Sequence, residues 1–137
     1  MIFYAVIDTN VIVSSMLKHD SIPGKVIDYV LVHKIIPIIN EDIMHEYLDV
    51  LTRNKFLIDL KEINKLLKVF RKNGISLDKI DTLESFIDKD DAVFYEITMS
   101  ARRTMDAYLV TGNLKHFPQK SYVVSPREMI AIVESNT

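Results

Sequence analysis

Six apolar residues in succession, Ile2-Phe3-Tyr4-Ala5-Val6-Ile7, run straight into Asp8-Thr9-Asn10. A run this continuous, with β-branched and aromatic members, leaves no polar side for water. It reads as a strand covered on both faces, as in a parallel sheet flanked by helices. Asp8 then stands at the carboxyl end of that strand, where open α/β sheets place their ligands. Val11 to Leu17 is apolar again and reads as a short helix, so the acid falls in a strand-to-helix turn.

The rest of the chain repeats the alternation. Val26, Ile27, Val30 and Leu31 form a helical stripe behind Pro23, which suits a first turn. Ile35 to Ile39 reads as a second strand. Pro37 cannot donate to a ladder, which predicts an edge strand, or a position near an end or a bulge. Asn40 is a suitable cap for a helix from Glu41 to about Arg53, with Ile43, Met44, Tyr47, Leu48 and Leu51 inward. Leu60 to Lys72 is a further amphipathic helix closed by Gly74 as C-terminal cap. Ile75 to Ile87 reads as a loop with one short extended piece. A helix from about Asp90 to Arg102 follows. Tyr108-Leu109-Val110 and Tyr122-Val123-Val124 read as strands, and Ser125-Pro126-Arg127-Glu128 opens a last helix with a capping box. Strands alternating with helices predict an α/β fold. The expectation is a three-layer α/β/α arrangement with a mainly parallel central sheet of four to five strands, as one domain over residues 1–137.

Composition excludes several classes. There is no cysteine, hence no disulfide framework and no Cys-based zinc site, which fits a reducing cytoplasm. No apolar run approaches the roughly 18 residues of a membrane span, and no basic segment precedes the first apolar run as a secretory signal requires. Net charge is −2, so any attraction to nucleic acid must be local, through a metal or a small basic patch.

Acidic and amide residues cluster at predicted strand ends and helix starts. Asp8 ends the first strand, Glu46 lies on the third helix, and Asp88, Asp90 and Asp91 open the fifth. Asp106 precedes the Tyr108 strand and Asn113 follows it. Taken singly, Asp8 or Thr9 could cap the next helix, Asp88 to Asp91 could complement a helix dipole, and Glu46 could be a solvated charge. Together at one sheet edge they would repel one another, and a hard divalent cation relieves that. Oxygen-only donors suit magnesium or manganese.

The order Asp8-Thr9-Asn10, Glu46 within Glu46-Tyr47-Leu48-Asp49-Val50-Leu51-Thr52-Arg53, Asp88-Lys89-Asp90-Asp91-Ala92-Val93-Phe94, and Asp106 to Asn113 with His116-Phe117-Pro118 resembles the PIN domain. More narrowly, it is similar to small stand-alone prokaryotic PIN proteins related to the VapC-like toxins. The resemblance implies a metal-dependent ribonuclease site. Asp8 matches its first acid and Glu46 its second. Asp91 matches the third, with Asp88 as the competing choice. Where the family often has a fourth acid, this chain has Asn113, able to offer a carbonyl oxygen to a metal, and Asp106 is the candidate to compensate. Asn10 and Thr111 match supporting positions. The resemblance also implies Mg²⁺ or Mn²⁺ as cofactor, RNA as substrate, a small DNA-binding antitoxin as partner, and a homodimer. Lys18, Arg53, Lys55 and Lys115 are candidate phosphate contacts. The alternative is a catalytically weak PIN fold that binds RNA or a partner. A phosphotransfer site of the haloacid dehalogenase type would want a second acid where Asn10 stands.

Overall fold

The first strand forms where the apolar run predicts it. In a computed structural model, which describes residues 1–82, 84, 86 and 88–136, β1 spans Phe3–Ile7, and Ala5, Val6 and Ile7 have no solvent exposure. Burying such side chains contributes about 1.5–3 kcal/mol for each large aliphatic one, which is why the run seeks the middle of a sheet. The chain continues as α1 (Thr9–Leu17), α2 (Ile22–Leu31), β2 (Ile35–Ile39), α3 (Glu41–Leu51), α4 (Leu60–Asn73), β3 (Ile75–Ser76), α5 (Lys89–Ala101), β4 (Ala107–Val110), β5 (Val123–Val124) and α6 (Pro126–Ser135).

The five strands are all parallel in the order β3-β2-β1-β4-β5. Helices α1, α2 and α6 pack together, as do α3, α4 and α5, completing the three-layer α/β/α fold. Among the described residues, no helix is long and apolar enough to cross a membrane. Leu83, Ser85 and Ile87, part of the expected loop, and Thr137 lie outside the described residues. The short extended piece of that loop is β3.

Parallel strands bring all their carboxyl ends to one edge. Strand order reverses between β1 and β4, and there a crevice opens. The pairing Ile7↔Val110 sets the residues that follow, Asp8 and Thr111, side by side.

Two local expectations need correction, and a third, the Gly74 cap, is met for its own reason. Strand β2 is internal rather than an edge, yet Pro37 fits. Phe3 donates to the Lys34 carbonyl and Leu77 donates to the Ile39 carbonyl, so alternation turns Pro37 toward β3. The pairing of β3 starts only at Ile38, and the missing N–H has no partner to lose. Leu48 is not part of the buried stripe: it is 39% exposed, while Ile43, Met44, Tyr47 and Leu51 are buried. Gly74 does cap α4, but in extended backbone (φ −83°, ψ 168°) rather than a left-handed turn. Its reason is close approach. A Cβ there would lie 2.4 Å from the Phe70 carbonyl oxygen and 2.8 Å from that of Pro37.

Gly74→Ala is therefore expected to destabilise the fold by about 1–3 kcal/mol, as overpacking against rigid backbone does. Urea denaturation reads this directly, and an unchanged midpoint would mean that the junction of α4 with β2 yields freely.

Candidate active site

Asp8 is the residue most constrained by this topology. Its backbone N–H donates to the Val110 carbonyl at 2.9 Å, continuing the β1–β4 ladder, and its side chain is 6% exposed. Asp8 occupies the N-cap position of α1 but its carboxylate makes no cap bond there. Instead Oδ2 accepts from the Thr111 hydroxyl at 2.8 Å and from the Asn10 amide at 3.1 Å. Both donors are themselves oriented. The Asn113 backbone N–H donates to Thr111 Oγ1, and the Gly112 N–H donates to Asn10 Oδ1, each at 3.0 Å. The turn after β4 thus aims two donors at the acid after β1.

Glu46 reaches the same edge from α3. The Asn40 side chain accepts from the Ile43 N–H and fixes where α3 begins. Tyr47 then locks the helix. It is fully buried, packs edge-on against Phe70 with ring centroids 5.7 Å apart, and donates its hydroxyl to the Ile7 carbonyl, one residue before Asp8. With Tyr47 pinned to the end of β1, its neighbour Glu46 accepts from the Thr9 hydroxyl at 2.9 Å.

Helix α5 supplies the third acid. Asp88 is the N-cap of α5 and its Oδ1 accepts from the Asp90 N–H at 2.9 Å. Asp88 is exposed. Asp91 is half-buried, pairs with His116 Nδ1 at 3.3 Å, and lies close enough to Asp8 to push its pKa up. The capping role suggested for the Asp88–Asp91 cluster thus falls to Asp88 alone.

Burial pushes the Asp8 pKa up to about 6, reinforced by Asp91 and Glu46 and opposed by the Thr111 hydrogen bond. Glu46 is raised by its own burial and by Asp90 and Asp49, against the pull of the Thr9 hydroxyl and Arg53. Asp91 is raised by burial and by Asp88, and His116 counteracts this. All three carboxylates thus lie where their charge is unfavourable, the condition that a bound cation relieves. Their oxygen-only chemistry fits Mg²⁺ or Mn²⁺. Among the described residues, no three acids or histidines already converge tightly enough to enclose an ion.

The remaining candidates divide by position. Asn113 is exposed at the same edge and contributes its backbone N–H. Asp106 requires correction. It precedes β4, at the amino end, so the whole strand separates it from Thr111 and Asp8, and it cannot stand in for an acid there. Lys18 also lies away from the acids, at the far end of α1, roughly 15 Å along the helix axis from Asp8. Arg53 donates to Asp49 at 3.4 Å within electrostatic reach of Glu46. Lys55 sits 5.0 Å from the ring centre of Phe56, which lines a cleft with Asp8, Thr9, Asn10 and Glu46. Lys115 and His116 line a second cleft with Asp91.

Residues 4–115 match the sequence pattern of the family described as PIN domain. The chain belongs to the PIN-domain family. It is similar to the uncharacterized protein MJ1680 of Methanocaldococcus jannaschii, at 29% identity over 112 residues, which cover 79% of this chain and 69% of that protein. No solved structure matches it. The PIN match takes in Asp8, Glu46, Asp88, Asp91 and Thr111, so the acids brought to the β1–β4 crevice lie inside the family's own region. Tyr47, Thr9 and His116 are partners of this PIN site that the sequence showed only as an inward residue, a possible cap and part of a motif, not as contacts of particular acids. Each acts across a long stretch of chain, and only the predicted place of Asp8 at a strand end hinted at where such partners would gather.

A raised carboxylate pKa gives a definite sign. The metal-free native state holds the Asp8 proton more tightly than the unfolded chain does. The stabilising contribution is complete below the ordinary value of 3.8 and is lost as pH rises through about 6. Asp8→Asn in EDTA is expected to melt higher than wild type at pH 8, by up to about 3 kcal/mol, and to lose that advantage below pH 4. A variant no more stable than wild type at pH 8 would mean that Asp8 is well solvated.

Proposed function

We propose that this PIN domain, taking residues 1–137 as one nuclease unit, is a divalent-metal-dependent endoribonuclease that hydrolyses RNA phosphodiester bonds. One observation carries the reading. A buried strand-end carboxylate, Asp8, is spent neither on capping nor on an ion pair but is aimed by Thr111 and Asn10 at a crevice that Glu46 and Asp91 also approach. Asp8, Glu46 and Asp91 would hold Mg²⁺ or Mn²⁺, with the Asn113 carbonyl as a neutral further donor. When bound there, the ion supplies charge neutralisation at the scissile phosphate and a water of lowered pKa.

The chain's own groups do the rest. Thr111 and Asn10 keep Asp8 from rotating, and Thr9 does the same for Glu46. Tyr47 fixes α3 against β1 so that the two acids keep their separation. His116 offsets charge at Asp91. Arg53, Lys55 and Lys115 give the local positive charge that a chain of net −2 needs to receive a polyanion. On family resemblance, the protein acts in the cytoplasm as the toxin of a type II toxin–antitoxin pair, as a homodimer neutralised by a small DNA-binding antitoxin. A second reading, RNA or partner binding with weak turnover, draws on neutral Asn113 at a position where the family often has an acid.

Labelled single-stranded RNAs incubated with EDTA, Mg²⁺ or Mn²⁺ separate these readings. Cleavage should require the metal. Asp8→Asn and Asp91→Asn should each lose at least about 100-fold in rate, and Thr111→Val about 10- to 100-fold, as loss of groups that orient a ligand does. Asp88→Asn should retain most activity. An active Asp91→Asn beside a dead Asp88→Asn would reverse the choice of third acid. Binding without cleavage by the wild type would favour the second reading.

A further inference from the structure

Beside Asp91 lies a cleft of about 440 Å³, a size that suits a small planar group. Among the described residues, its apolar lining is Phe86, Phe117 and Pro118. Phe86 and Phe117 meet at 68° with centroids 6.1 Å apart, and Phe86 also packs on Tyr95 at 5.6 Å. Phe117 is buried and serves as backing, whereas Phe86 is half-buried and lines the cleft. Nothing in the metal chemistry uses these rings.

We infer that this cleft receives one nucleobase of the substrate strand, stacked on Phe86, next to the phosphate held at the carboxylates. The inference rests on the nuclease reading above and adds a subsite to it. Charge decides against a phosphate as the occupant. Even with Asp91 given to the cation and His116 paired to Asp91, Glu84 and Asp88 face the cleft against Lys115 alone. An uncharged, flat, polarisable group meets no such penalty, and aromatic faces bind any base by stacking. Continuity decides against an unrelated ligand. Asp91 belongs to both the cleft and the acid cluster, so a strand whose phosphate sits at the acids passes the mouth of the cleft. A paired base cannot enter, so the subsite selects single-stranded or extruded nucleotides.

The test is anisotropy of a short fluorescein-labelled single-stranded RNA in Ca²⁺, with an abasic site walked along it, beside a cleavage assay of the intact RNA in Mn²⁺. For wild type, one abasic position, adjacent to the cut, should weaken binding about 5- to 150-fold, the range found when a single base–aromatic stack is lost. In Phe86→Leu that penalty should vanish with the melting temperature unchanged, and Phe86→Tyr should restore it. A flat scan in wild type, which needs no variant to interpret, would overturn the subsite and leave the cleft to a protein side chain. The same penalty persisting in Phe86→Leu would also overturn it. Failure of the nuclease reading looks different: a position-specific penalty without Mn²⁺-dependent cleavage removes hydrolysis but keeps the subsite. Failure to bind any RNA removes both.

Discussion

The desolvation of Asp8 organises this molecule. A strand covered on both faces must end somewhere, and the first polar side chain after it inherits the low dielectric of the core it leaves. Asp8 meets that condition with two donors on one oxygen and two acids nearby, and burial outweighs the donors, so its pKa rises to about 6. The surrounding structure follows from keeping that carboxylate oriented. The β4 turn supplies Thr111 because Ile7 pairs with Val110. The helix α3 is fastened by a fully buried tyrosine that satisfies the Ile7 carbonyl, so the position of Glu46 depends on packing of the core and not on a flexible surface side chain. Rigid support of this kind is what a site needs if its charged groups are to stay close while repelling one another.

Much of this was legible in the sequence, for reasons specific to each residue. The apolar run forms the buried strand it predicts over Phe3–Ile7, with Ile2 exposed ahead of it, and Asp8 follows its last residue. The capping box of Ser125 and Glu128 forms as read, because its two hydrogen bonds are local. Less was legible where a residue had two sufficient physical reasons. Gly74 caps its helix as read, but the need for glycine comes from close approach to the Phe70 and Pro37 carbonyls, and the second of these is far away in sequence. Pro37 pointed to an edge because β3, with its two residues, is too short to be counted from pattern. Asp106 stands at the other end of the strand from Asn113, and four extended residues are too long a span for it to compensate there. The partners Thr9–Glu46 and His116–Asp91 are tertiary contacts without any periodic signal.

Asn113 shows how a site can lose a charge and keep its geometry. The side chain is neutral and exposed, but the backbone N–H of this residue donates to Thr111 Oγ1. That bond occupies the hydroxyl as an acceptor and leaves its proton directed at Asp8 Oδ2. Any residue other than proline could supply the same N–H. At this position the backbone alone orients the buried acid, whatever the side chain carries. A carboxylate here would add a further like charge to Asp8, Glu46 and Asp91, whose pKa values are already raised. A neutral Asn113 side chain spares the fold that repulsion while its backbone N–H keeps the orienting contact to Thr111.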